Sequence, residues 1–169
     1  MEPGSRLPGG TTPAGPLAVE VMLEDAGWRG AMRDPERIVR EAAAAALSEC
    51  AARGQPAQGQ IVVLLADDRA LKRLNHDHRG KTKPTNVLSF PAGVPGVLGD
   101  VALGFGTVRR EARAANRRVA DHLAHLVAHG VLHLAGHDHI HAGEARRMEQ
   151  AEARVMRRLG RPNPWRGLT

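Results

Sequence analysis

His125-Leu126-Val127-Ala128-His129-Gly130-Val131-Leu132-His133-Leu134-Ala135-Gly136-His137-Asp138-His139 holds five of the chain's nine histidines. His129 and His133 stand four apart, so on a helix both imidazoles leave one face, one turn apart. That spacing suits two nitrogens on one metal ion. Leu123, Leu126, Gly130 and Leu134 supply the neighbouring apolar stripe that seats such a helix in a core. Gly136 reads as the helix stop, because glycine accepts left-handed backbone. His139 follows the stop, where a tight turn brings it toward the same ion. Three neutral imidazoles with one open position form the ligand set of a catalytic zinc site rather than a closed structural one. One zinc per chain is therefore expected, on His129, His133 and His139. His125 is a rival, but a 125/129/133 line runs about 12 Å along a helix, too long for one ion. It suits a place behind the ligands or in the core. Asp138, next to a ligand, suits the task of orienting an imidazole. In the peptidase pattern HExxH a glutamate follows the first histidine as general base; here Gly130 stands there.

At 169 residues the chain is long enough for one domain with a real core. The net charge of +6 comes mostly from arginine, since the lysines are Lys72, Lys81 and Lys83 alone. A basic surface favours a polyanion such as RNA. Aromatics are few and tyrosine is absent, which argues against a base-stacking platform and for phosphate pairing. The lone Cys50 fits a reducing cytoplasm. No apolar run approaches the length of a membrane span, and the N-terminus lacks the apolar segment of a secretory signal.

Residues 1–16, rich in proline and glycine, are expected to be a disordered tail. Residues 17–160 form the domain. Val19, Val21 and Leu23 alternate as a strand. Asp34-Pro35-Glu36 opens a helix with a cap, a proline at the first turn and an acid at the positive end of the dipole. Its apolar positions run from Ile38 to Cys50, and Gly54 follows its end. Residues 61–66 are continuously apolar, as in a buried strand. Asp67 or Asp68 caps a helix ending near Gly80. A basic loop, 79–85, leads to a short strand from Val87 that Pro91 stops. A further strand, 99–103, pairs with it antiparallel, whereas the first two strands, joined through a helix, are parallel. Thr107 caps a helix reaching about Asn116, on which Arg109, Arg113 and Arg117 share a basic face suited to RNA phosphates. The histidine helix covers about 119–135, and a last helix, 142–159, carries an apolar stripe including Met148, Ala151, Val155 and Met156. Residues 161–169 read as a loose C-terminal tail. The class is α+β: one domain, a small mixed, mostly parallel sheet of about four strands packed with helices, and a central helix bearing the HxxxH pair.

His129-Gly130-x-Leu132-His133-Leu134-x-Gly136-x-Asp138-His139 resembles the pattern of the YbeY family, bacterial zinc-dependent endoribonucleases of 16S rRNA maturation. Leu74-Asn75-x-x-x-Arg79-Gly80-x-x-Lys83-Pro84-Thr85-x-Val87-Leu88-Ser89-Phe90-Pro91 agrees, as does Leu98-Gly99-Asp100. Two departures are His137, where the family usually has tyrosine, and Asn86, where it has aspartate. The resemblance implies a single-strand-specific endoribonuclease of 16S rRNA 3′-end maturation and ribosome quality control, in the cytoplasm. Its partners would be rRNA and the small ribosomal subunit, with no DNA and no membrane. Arg79 matches the family's arginine and is the expected catalytic residue; its planar, permanently charged fork suits phosphate oxygens. Lys81 and Lys83 follow it as RNA contacts. His137 is expected to face solvent or RNA rather than the metal. Two other classes stay open: a zinc hydrolase of another substrate, such as a peptidase, and a non-enzymatic ribosome-assembly factor with a structural metal.

Overall fold

The alternating and continuous apolar runs become strands, in a computed structural model that describes residues 17–79, 85–137 and 142–165. They are β1 (Leu17–Leu23), β2 (Gly59–Ala66), β3 (Val87–Val94) and β4 (Val97–Gly104), in the sheet order β1-β2-β4-β3. β1 and β4 both run parallel to β2, and β3 runs antiparallel to β4, as the connection lengths require. Among the described residues six helices accompany them: α1 (Gly27–Ala31), α2 (Pro35–Ala52), α3 (Asp68–Arg79), α4 (Phe105–Ala114), α5 (Val119–Leu134) and α6 (Ala142–Arg158).

Period-two alternation sends the side chains of each strand to opposite faces. Ile61, Val63, Leu65, Val101 and Leu103 meet α2, α5 and α6 in the main core. Leu64, Ala66, Leu88 and Ala102 pack on the other face, against Leu71 of α3. Ala42, Ala43 and Ala46 are all fully buried, and these small side chains let α2 lie along α5. Asp34 caps α2, its carboxylate accepting the Arg37 N–H at 3.2 Å behind Pro35 at the first turn. Asp67, rather than Asp68, caps α3, through the Ala70 N–H at 2.8 Å.

Several elements differ from the sequence reading, each for a reason outside its own segment. Helix α1 has no long apolar period, yet it buries Trp28 completely. The Trp28 indole donates to the Ala66 carbonyl at 3.1 Å and meets the Phe105 ring edge-on, 5.0 Å between centroids. β3 does not stop at Pro91 but continues to Val94. It is an edge strand, where a missing backbone donor is tolerated. Helix α4 starts at Phe105, and Thr107 is not its cap: the Thr107 N–H is taken at 2.9 Å by Asp68, from α3. That carboxylate also holds Arg110 at 3.0 Å.

Helix α4 ends at Ala114, and Asn116 takes left-handed backbone, φ 55. The Arg117 N–H returns to the Ala112 carbonyl at 2.8 Å and the Asn116 N–H to Arg113 at 3.1 Å, the paired closure of a Schellman turn. Arg117 is thereby turned off the helix, so it does not share a face with Arg109 and Arg113. Gly160, φ 68, closes α6 in the same way. Residues 161–165 then fold back onto the domain instead of trailing as a loose tail. Arg161 pairs with Asp121 at 2.6 Å, and the Arg117 guanidinium holds the Pro164 carbonyl.

Candidate metal centre

Helix α5 runs through the middle of the main core, and twelve of its residues are buried, from Asp121 to Leu134. His129 and His133 are both only half-buried. Between Asp121 and Leu134 every other residue of the helix is buried, so the pair marks its least enclosed positions there. Gly136 ends the helix, as its position suggested. Its φ is 110, and the His137 N–H reaches the Leu132 carbonyl at 3.0 Å while the Gly136 N–H reaches His133 at 3.1 Å.

Each imidazole of the pair is steered at Nδ1 by a different element. His129 Nδ1 lies 2.6 Å from Glu152 Oε2, on α6. His133 Nδ1 lies 2.7 Å from Ser89 Oγ, on β3. A ring that gives its Nδ1 proton to such a partner carries its lone pair on Nε2, the nitrogen a metal would meet. Two Nε2-directed imidazoles one helical turn apart fit zinc by the chemistry of the donor set. Ser89 reaches this place because it stands opposite Val101 in the hairpin register, on the sheet face turned to α5.

Glu152 is 1% exposed, yet it serves three donors. His125 Nε2 lies 2.6 Å from Oε1, and Trp165 Nε1 donates to the same oxygen at 3.2 Å. Burial opposes its charge, but the hydrogen bonds from His125 and His129 prevail and pull the carboxyl down to about 2. His125 thus stands behind the pair. The sequence reading missed Glu152, though it left a trace: an acid among the buried Met148, Ala151, Val155 and Met156 of an amphipathic helix. Ser89 stood in the block that carries the family resemblance, but nothing in its residue type assigned it to His133, since a serine in a strand has many ordinary uses.

Gly130 lies where HExxH carries its glutamate. A Cβ there would stand 2.9 Å from Val101 Cγ1. This position presses on β4, so it could not aim a carboxylate at the histidine pair. Asp100 is buried on β4, between Gly99 and Val101 in sequence. Those two neighbours face α5, through Leu134 and Gly130. Alternation therefore turns Asp100 to the α3 face, away from the pair.

Asn86 donates to Glu111 Oε1 at 3.0 Å, and His122 Nε2 lies 2.9 Å from that same oxygen. An aspartate at 86 would face that carboxylate with like charge; the amide turns the contact into a hydrogen bond. Burial holds the His122 imidazole below its ordinary value against the pull of Glu111. His137 lines a cavity of 310 Å³ with Gln55, Arg147 and Arg154. Burial, then the Arg154 charge, lowers its pKa as well.

His139, Asp138, Lys81 and Lys83 lie outside the described residues, as does the side chain of Arg79, the last residue of α3. Among the described residues no three His, Cys, Asp or Glu side chains form a metal-binding group. Arg109 and Arg113 are exposed, and Arg109 lies over the Phe105 ring, 5.5 Å from its centroid.

A mixed sheet with helices packed on it, one of which carries a pair of steered imidazoles, defines the protein as an α+β domain with a candidate metal centre. The family model described as Endoribonuclease YbeY matches residues 29–160, and the chain belongs to that family. It is 48% identical to an Endoribonuclease YbeY of Gluconobacter oxydans over 98% of this chain and 93% of the relative. A second relative of that name, from Maricaulis maris, is 42% identical over 88% and 91% of the two chains. The solution structure of TM1509 from Thermotoga maritima shares the fold, with a TM-score of 0.53 and 23% identity over 84% of this chain and 91% of that one. No helix among the described residues is long and apolar enough to cross a membrane.

Proposed function

We propose that the protein is a zinc-dependent endoribonuclease that cleaves single-stranded RNA, with 16S rRNA of the small ribosomal subunit as its substrate in the cytoplasm. The observation that carries this reading is the His129/His133 pair, each imidazole directed through Nδ1, by Glu152 and by Ser89. Relatives named endoribonucleases over nearly the whole chain support it.

His129, His133 and His139 would hold the zinc, which when bound polarises a phosphoryl oxygen and makes water more acidic. The remaining work belongs to the chain's own groups. Glu152 and Ser89 hold the two rings, and His125 supports Glu152 from behind. Asp138 would orient a neighbouring ligand. Arg79, at the end of α3, would hold a second phosphoryl oxygen through two parallel N–H donors, with Lys81 and Lys83 pairing nearby phosphates. Arg109 and Arg113 would extend the phosphate contacts along α4.

Gly130 weighs against a peptidase, because its position packs on Val101 and offers no base. A non-enzymatic assembly factor would need no open coordination position. The test is cleavage of single-stranded rRNA by metal-replete protein beside a His129→Ala variant. Cleavage that requires zinc and vanishes in the variant is expected; equal cleavage by both would defeat the reading.

A further inference from the structure

Glu152 is an expensive residue to place where it stands. Its carboxylate is withdrawn from water on a helix face made otherwise of Met148, Ala151, Val155 and Met156. A hydrophobic residue of similar volume would pack there at least as well, because burying a charge costs about as much as its partners return. Something other than packing must account for it.

Its two oxygens are used differently. Oε2 meets His129 Nδ1 at 2.6 Å; Oε1 meets His125 Nε2 at 2.6 Å and Trp165 Nε1 at 3.2 Å. Two donors therefore anchor one oxygen while the other faces the candidate ligand. We infer that Glu152 is a positioning residue that fixes the orientation and Nδ1–H tautomer of His129, and that Trp165 completes the anchor from the C-terminal segment.

An imidazole on a helix can turn about its last bond, and only one orientation with one tautomer presents Nε2. The fixed carboxylate removes that choice before a metal arrives. Trp165 is brought there by the turn at Gly160. Arg161–Asp121 and Arg117–Pro164 tie the intervening segment down. Its ring also meets His125 edge-on, 5.6 Å between centroids. Residues 161–165 are thus part of the device that shapes the metal site.

This inference rests on the zinc reading above, and its test separates the two. Zinc affinity of the full chain is measured by competition with a chromophoric chelator, for wild type, Glu152→Gln, Trp165→Phe and His133→Ala. Imidazole ¹⁵N shifts report the His129 tautomer in the metal-free proteins. Glu152→Gln should bind zinc about 10–100-fold more weakly, the scale for removing a partner of a metal-bound histidine. It should also lose the Nδ1–H signature of His129. Trp165→Phe keeps an aromatic ring and removes one donor, so a loss of zinc affinity on the order of threefold is expected in a protein that still folds.

Wild-type affinity in both Glu152→Gln and Trp165→Phe, beside a weakened His133→Ala, would overturn this inference and leave the zinc site standing. Should Glu152→Gln fail to fold, Trp165→Phe decides alone, since that position is exposed. A folded wild type that binds no zinc would remove both readings.

Discussion

Ser89 and His133 join the sheet to the central helix through a hydrogen bond, 2.7 Å from hydroxyl to Nδ1. The edge strand thereby fixes one ring of the pair, while α6 fixes the other. Ser89→Ala should cost about 1 kcal/mol of stability, the net worth of one hydrogen bond. It should weaken zinc binding by about tenfold. Urea unfolding and a chelator competition on the same preparation check both. Unaltered zinc affinity would show that His133 needs no steering from β3.

Gly130 tests how closely α5 lies on the sheet. Alanine gains up to about 1 kcal/mol in helix propensity, but the added methyl meets the stiff Val101 side chain at 2.9 Å. Overpacking of this kind costs about 1–3 kcal/mol, so the clash should win and Gly130→Ala should be destabilised. Gly130→Glu should be worse and should gain no peptidase activity. A denaturation series and a casein assay read these outcomes; an alanine variant more stable than wild type would contradict the close approach.

Glu49 on α2 is buried yet receives Arg53 and Arg158 at 3.0 and 3.1 Å, and the Arg154 guanidinium as well. Burial raises its pKa, but the bonds from Arg154, Arg53 and Arg158 outweigh it, and the net direction is down. A folded pKa below the unfolded value means stability present above the unfolded value and lost as pH falls through the folded one. The contribution should be complete above about pH 5 and decline below it. Glu49→Gln should lose about 1–3 kcal/mol at neutral pH, and its deficit should shrink in acid. Unfolding free energies across that range provide the check, and a deficit independent of pH would remove the charge from the explanation.

Arg109, Arg113 and Arg117 do not act alike. The first two are exposed on α4, whereas Arg117 is turned away by Asn116 and holds the Pro164 carbonyl. Replacing Arg109 or Arg113 with alanine should lower the salt slope of RNA binding by about 0.7 for each phosphate left without its arginine. Arg117→Ala should leave the slope alone and instead loosen residues 161–165, seen as a change in Trp165 fluorescence. A slope change confined to Arg117→Ala would reverse this assignment.

Arg79 should matter in the transition state more than in binding, because charge on the phosphoryl oxygens rises as the reaction proceeds. Arg79→Ala is expected to lose cleavage by about 10²–10³-fold while RNA affinity falls much less. Arg79→Lys should recover only part, since an ammonium cannot make the paired contact. Single-turnover cleavage beside equilibrium binding decides it; equal losses in both would make Arg79 a binding residue.

Local rules made much of the molecule legible in the sequence. Four-residue spacing placed His129 and His133 on one face, and Gly136 ended their helix in left-handed backbone, because both depend on neighbours a few residues away. Asp34-Pro35 opened α2 for the same reason. Apolar runs and connection lengths determined the parallel and antiparallel pairings. Tertiary packing alone decided the partners. Glu152 is 23 residues from His129, and Ser89 is 44 from His133. Asp68 reaches across 39 residues to start α4, which displaced Thr107 from that role. Such contacts are set by which faces of distant elements meet, and a periodic pattern specifies that a face is buried without specifying against what. The place of Arg117 has the same origin: one left-handed residue, Asn116, ends α4 ahead of it, and its guanidinium meets the Pro164 carbonyl of the C-terminal segment.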